Sequence, residues 1–279
     1  GDVLAGVVAR DRDTAQKAVK LIKVEYEVLK GVFSTDEAEK EDSIRVHPGR
    51  PNILETCAIK TKDAQREFSR AAWISSGIYQ TSRIEHAFLE SESAVAHPEE
   101  EGVRIYSQGQ GIYVDRKQIA EILGIEEDKV RVSLVPCGGA FGGREDLSVQ
   151  GHVALFAYLL KNPVKISLSR EESIRMHPKR HPVRMEVKLA CDSKGKFTAL
   201  KLKATGDTGA YASVGTKVME RVAGHATGGY QISATDIQAS TIYTNNIPSG
   251  AMRGFGVPQV VFALESCIDD LCRKGGFDR

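Results

Sequence analysis

The chain has 279 residues, 41% of them hydrophobic and 27% charged, and its 38 basic against 37 acidic side chains leave a formal net charge of +1. That length can bury a substantial core, and the composition is that of a globular protein with one large domain and a smaller one. The balanced charge gives no electrostatic case for nucleic acid or an anionic membrane as partner, and no apolar run is long enough to span a bilayer.

The opening GDVLAGVVA has no Met and no signal peptide, and the chain reads as a piece of something longer. Its valine-rich alternation predicts a strand. RDTAQKAVKLIKV follows as a helix, with Asp13 as N-cap and Gln16 at the capping-box position, and VEYEVL returns as a second strand to complete a β-α-β unit. Residues 31–68 are polar, with the charge run DEAEKED, and predict a connector. AAWISSGIYQTS and ESAVAHP then read as strands on either side of RIEHAFLE.

After Val103 strand and helix alternate: VRIYSQ, VDRKQIAEILGI, VRVSLV, LSVQGHVALFAYLLKN, VKISLS. Two long strands within residues 184–212 are joined at an Asp192–Gly195 turn. A Gly/His stretch, the strand IQASTIYT, the loop NNIPSGAMRGFGVPQ and a final helix end the chain. The fold class is mixed α+β, with βα units beside antiparallel strands. Five cysteines, odd in number and outside CxxC pairs, fit reduced thiols in a cytosolic protein. Their sparseness argues against an iron–sulfur cluster or structural zinc held by this chain alone.

Two stretches are nearly stripped of side chains. PCGGAFGGRED runs from a β-branched strand toward a long apolar helix, and bare backbone there exposes amide N–H groups that suit phosphate or another oxyanion. GGAFGG lacks the G-x-G-x-x-G spacing and GGREDLS lacks the Gly-Lys-Ser/Thr ending of a P-loop, so a tight structural turn competes evenly with nucleotide binding. The second stretch, SGAMRGFGVPQ, again sets small residues around a phenylalanine and an arginine before an apolar helix. Together they suggest backbone approaching one rigid, anionic ligand. HPKRH is broken by proline and makes a poor helical metal pair, ASVGTK is not a P-loop, and no Ser/His/Asp set has a nucleophile-elbow context.

SQGQG before a helix, CGGAFGGRED, KVMERVAGH and AMRGFGVPQ, in that order, resemble the molybdenum-binding subunit of the xanthine dehydrogenase/aldehyde oxidase family, in its xanthine dehydrogenase-like branch. RIEHAFLE resembles the segment just inside the molybdenum domain. The resemblance implies that residues 1–45 are the C-terminal part of an α/β hammerhead-like domain, 46–70 a connector, and 71–279 the N-terminal part of a molybdopterin-binding domain with mixed sheets. It also implies a cytoplasmic molybdenum hydroxylase that takes oxygen from water.

The implied cofactor is molybdenum–molybdopterin, with no protein side chain as metal ligand. An iron–sulfur (2Fe–2S) cluster and FAD would lie on partner domains or subunits, beside the remainder of the molybdenum subunit. Gln110 matches the glutamine that hydrogen-bonds an oxygen ligand of the metal, with Gln108 its nearby rival. Ala140, Phe141 and Gly142 match one cofactor-facing loop, and Arg253 and Gly254 the second. Ala140 stands where many relatives have a glycine. Phe255 matches the aromatic that packs on a flat substrate. Glu145 and Arg221 match the pair that hydrogen-bonds a purine in the purine-oxidising branch, where aldehyde-oxidising relatives usually carry apolar residues. The implied substrate is therefore a purine or related N-heterocycle. An aldehyde, a non-catalytic partner module and a nucleotide-binding domain are the alternatives. The family's catalytic base lies beyond Arg279.

Overall fold

A computed structural model describes residues 2–279. In chain order the first half holds α1 (Arg12–Val19), α2 (Thr35–Ala38), β1 (Ile53–Thr61), α3 (Ala64–Arg70), β2 (Trp73–Gln80), β3 (Ser93–Pro98), β4 (Val103–Ser107), α4 (Ile112–Leu123) and β5 (Val130–Leu134). The second half holds α5 (Gln150–Leu160), β6 (Val164–Ser167), α6 (Arg170–Met176), β7 (Lys179–Arg180), β8 (Val183–Cys191), β9 (Phe197–Gly209), α7 (Gly215–Gly224), β10 (Ala234–Tyr243), β11 (Ser249–Gly250) and α8 (Val257–Gly275). They form two compact units, both discontinuous in sequence. The first joins the stretch ending at Lys30 to His86–His177, and the second joins Gly31–Glu85 to Pro178–Arg279.

The first unit is built on a four-stranded sheet ordered β5-β4-β3-β6. β4 and β5 run parallel, as a β-α-β connection through α4 requires, and β3 is antiparallel to both of its neighbours. α4 ends cleanly because Gly124 takes φ +65°, the left-handed cap that a side chain disfavours. Small residues bring α5 onto the sheet: Ala154 and Ala157 of the helix share a buried cluster with Ala94 and Ala96 of β3.

The strands expected at residues 3–9 and 24–29 are absent. A strand exists only through hydrogen bonds to a neighbour, and no described residue pairs with these stretches. Most of their apolar side chains stay in solvent, with Val28 91% and Leu29 77% exposed. The alternation signals a surface that suits covering, without supplying the cover. The helix between them does form, but its N-cap is Asp11, whose carboxylate accepts from the Thr14 amide at 2.8 Å; Asp13 falls in the first turn.

The second unit carries a five-stranded sheet ordered β1-β10-β9-β8-β2. β9 and β10 are parallel, connected through α7, and the other pairings are antiparallel. α7 and α8 contribute Met219, Val222, Leu264 and Leu271 to the core over β8 and β9. The Asp192–Gly195 turn is present, its Asp192 carboxylate accepting from the Lys194 and Lys196 amides, with Gly195 at φ +82°. β1 and α3 occupy much of residues 46–70, expected as a connector. β1 is an edge strand with no buried residue, so its sequence looks polar although every residue from Glu55 to Thr61 pairs with β10. α7 likewise lies within what reads as a Gly/His loop.

The protein is thus a mixed α and β fold with mixed sheets. Among the described residues no helix is long and apolar enough to cross a membrane.

Candidate functional site

In the first unit the site begins where β4 ends. Ser107 is buried, and its hydroxyl accepts the Gly109 amide at 2.9 Å while donating to Asp115 at 3.2 Å. A Cβ on Gly109 would collide with Asp115 Oδ2, so any larger residue here would have to displace the Asp115 carboxylate. Burial holds the Asp115 carboxyl up at about 6, and the Ser107 hydroxyl opposes that only in part.

Gln108 and Gln110 flank this glycine and do different things. Gln108 is buried and accepts from Arg144 Nη1 at 2.9 Å. Gln110 is exposed; its backbone amide donates to the Arg144 carbonyl at 2.9 Å, and its Oε1 accepts the Arg144 amide at 3.2 Å. With the oxygen so engaged, the NH2 group of Gln110 is left as a neutral donor.

The glycine turn after β5 is held at both ends. The Gly138 amide donates to Glu90 Oε2 at 2.7 Å, and the Gly143 amide donates to the Ala140 carbonyl at 2.8 Å. Between them Phe141 and Gly142 take φ +54° and +95°, the φ pair of a type I′ turn. The amides of Ala140, Phe141 and Gly142 donate to no atom of the described residues. Three successive free N–H groups on bare backbone form a concavity for an anionic, oxygen-rich group. Glu145 closes the turn, its amide donating to the Gly142 carbonyl at 3.3 Å. Partial burial of its carboxyl, and the charge of Asp146, hold that carboxyl above the ordinary range.

The second unit repeats this pattern. The Phe255 amide donates to the Met252 carbonyl at 2.8 Å and the Val257 amide to the Gly254 carbonyl at 3.0 Å. Phe255 and Gly256 take φ +49° and +95°, again the type I′ pair, directly after Gly254 at +91°. The amides of Arg253 and Gly254 donate to no atom of the described residues. From below, Arg180 Nη2 donates to the Arg253 carbonyl at 2.8 Å. Arg221, in the last turn of α7, sets its guanidinium 6.0 Å from the centre of the Phe255 ring, and both side chains reach solvent. A Cβ on Gly256 would run into the Val218 carbonyl, so this glycine lets the loop lie against the helix that carries Arg221.

Within the first unit the structure therefore brings Gln110, Ala140, Phe141, Gly142 and Glu145 together through one hydrogen-bonded turn. Within the second it brings together Arg221, Arg253, Gly254 and Phe255. Sequence reasoning passed over Arg144, whose buried guanidinium underlies the first turn, and Glu90; their one signal was Arg144 in the charged triplet beside the glycines. His177 is a buried hydrogen-bonding group, 3.3 Å from His86 and 3.2 Å from Glu92. His181 is buried beside Thr208, and burial pulls its pKa down to about 4.

Over its whole length the chain is 38% identical to the nicotinate dehydrogenase large molybdopterin subunit of Eubacterium barkeri, spanning 65% of that protein. It is 34% identical to the xanthine dehydrogenase molybdenum-binding subunit of Escherichia coli, again over its whole length, and spans 37% of that protein. The chain thus spans less than two thirds of either relative's length. Among solved structures, the aldehyde oxidoreductase of Desulfovibrio gigas superposes with a TM-score of 0.94 at 29% identity, covering 97% of this chain and 30% of that one. Residues 46–279 match the family described as the molybdopterin cofactor-binding domain. With a family model matching most of its length, this chain belongs to the molybdopterin cofactor-binding domain family, among the molybdenum hydroxylases.

Proposed function

We propose that the chain is part of a molybdenum hydroxylase that oxidises a purine or related N-heterocycle. The observation that carries this reading is the recurrence of a Phe-Gly turn with unengaged amides in both units, one of them set against an exposed arginine. Two relatives point the same way in substrate class, their names being nicotinate and xanthine dehydrogenase.

When bound, the molybdenum cofactor supplies a two-electron redox centre for hydroxylation with oxygen drawn from water. The chain's own residues bind and orient. Gln110 donates its NH2 to an oxygen of the cofactor without adding charge, and the amides of Ala140, Phe141 and Gly142 donate to it in the first unit. In the second unit the backbone amides of Arg253 and Gly254 are donors of the same kind. Phe255 packs against a flat ring. Glu145 hydrogen-bonds a ring nitrogen. Arg221 donates to an exocyclic oxygen and stabilises negative charge growing there. The working enzyme adds the remainder of the molybdenum subunit with iron–sulfur and FAD partners, and works in the cytoplasm. Residues 1–45 belong to a hammerhead-like domain preceding the cofactor domain.

An aldehyde substrate is the second reading, favoured by the close superposition on an aldehyde oxidoreductase. The charged pair Glu145 and Arg221 weighs against it. The test assays the full-length protein with its partners on a purine, a pyridine carboxylate and an aromatic aldehyde. Glu145→Ala and Arg221→Ala should each reduce turnover of the heterocycle by about tenfold or more while leaving molybdenum and pterin content intact. Equal loss of turnover and cofactor would assign both residues to structure. An aldehyde as best substrate, insensitive to both changes, would select the second reading.

A further inference from the structure

Arg144 is 4% exposed, and its guanidinium reaches three acceptors from three segments. Nε donates to the Gly139 carbonyl at 2.9 Å, Nη1 to Gln108 Oε1 at 2.9 Å, and Nη2 to the Glu90 carbonyl. Its central carbon, Cζ, lies over the Phe88 ring, 4.2 Å from the centroid. The backbone of the same residue engages Gln110 twice, accepting its amide and donating to its side-chain oxygen. One side chain thus ties the end of β4, the bare turn and the Phe88–Glu90 segment together.

We propose that Arg144 is a positioning residue: its forked guanidinium sets the direction of the free amides of 140–142 and, through its own peptide group, turns the Gln110 NH2 outward. The inference rests on the functional reading above, in which those donors meet the cofactor. The geometry needs a fork. Guanidinium presents five N–H donors in a rigid plane, so one cation can hold carbonyls from two loops and an amide oxygen from a third at fixed angles. A lysine ammonium keeps the charge but is a compact point without that planar fork. The charge itself is compensated inside the unit. Burial lowers the Arg144 pKa, and the carboxylate of Glu92, only 2% exposed, is the largest opposing influence. Retaining a cation while removing the fork therefore separates positioning from charge balance.

The experiment uses the full-length protein with its partners, as wild type, Arg144→Lys, Arg144→Met and Gln108→Leu. Four readouts are taken: amide hydrogen exchange across residues 138–146, and the kcat, KM and molybdenum electron-paramagnetic-resonance spectrum per loaded cofactor. The expected result for Arg144→Lys is exchange about tenfold faster in 138–146 with the rest of the chain unchanged, because two of three hydrogen bonds are gone. Its kcat should fall with KM unaltered, and its spectrum should shift. Gln108→Leu should reproduce a weaker version. Wild-type exchange and kcat in Arg144→Lys would overturn the proposal, as would a uniform rise in exchange with unchanged kcat per cofactor, which marks a merely stabilising side chain. If Arg144→Met fails to fold, the other two variants decide. If the wild type itself carries no molybdopterin, the functional reading fails, while the exchange rates still decide the clamp.

Discussion

Phe141 and Phe255 share one unusual backbone state: φ is +54° at the first and +49° at the second, and each precedes a glycine at +95°. Phenylalanine is a poor choice for the first centre of a type I′ turn, which favours Asn or Gly, and its left-handed backbone costs on the order of 1 kcal/mol. Strain retained twice over, beside unengaged amides, marks turns kept for what they hold. Phe141→Asn should therefore leave folding stability unchanged or raise it by up to about 1 kcal/mol, while molybdopterin retention falls. Urea titration of the full-length protein read beside pterin content checks both halves. A variant that loses stability but keeps its cofactor would refute the trade.

The two glutamines at the end of β4 should separate by experiment. Gln110→Leu removes an exposed side chain and its one bond to the Arg144 amide, which water can replace from the exposed side, and should cost about 1 kcal/mol or less. Gln108→Leu leaves the buried Arg144 Nη1 without its acceptor and should cost about 1–3 kcal/mol. Denaturant midpoints decide; the reverse order would exchange their roles.

Gly256→Ala should destabilise by more than about 2 kcal/mol, since its φ of +95° and the clash of the new Cβ with the Val218 carbonyl both oppose it. Gly224, at the end of α7 with nothing within 4 Å of an added Cβ, is the control: Gly224→Ala should be neutral or stabilise by about 0.5 kcal/mol. Thermal unfolding of the pair measures the difference.

Asp115 gives a pH prediction with a definite sign. Its folded pKa is raised to about 6 from 3.8, so the folded state holds a proton that the unfolded chain has released. That contribution to stability is complete below about pH 4 and is lost as pH rises through about 6, amounting to about 3 kcal/mol at most. Asp115→Asn removes the titration, so its stability relative to wild type should improve between pH 4 and 7. A pH-independent difference would show that the acid is ionised in the fold.

The βα alternation from Val103 to Ser167 was legible because its strands are rich in β-branched residues and its helices carry apolar residues that share one buried cluster with them. The stripped turns were legible as well, since glycine clusters beside phenylalanine have few other uses. β1 was not: an edge strand with no buried residue is indistinguishable by pattern from a polar connector. α7 was hidden because glycine bounds it at both ends and only five of its ten residues are buried. Residues 3–9 and 24–29 erred the other way, since side-chain alternation carries no information about whether a pairing strand is at hand. In the site, residues that would meet a ligand were named from order and type, whereas the Arg144 support was invisible. Its three acceptors include two backbone carbonyls, and carbonyls have no letter in a sequence.

The pairing of β1 with β10 also bears on how the molecule is made. Thr56 hydrogen-bonds Ser240, 184 residues further along. At ribosomal speeds of about 5–20 residues per second, β1 waits roughly 10–40 seconds for its partner, with β2 already synthesised and β8 and β9 still to come. During that interval the nascent chain displays unpaired backbone from both outer strands of a sheet whose centre has not been translated. Cotranslational capture by a chaperone, or pausing codons near residue 190, would act most strongly on this unit and least on the first, whose four strands are complete by residue 167.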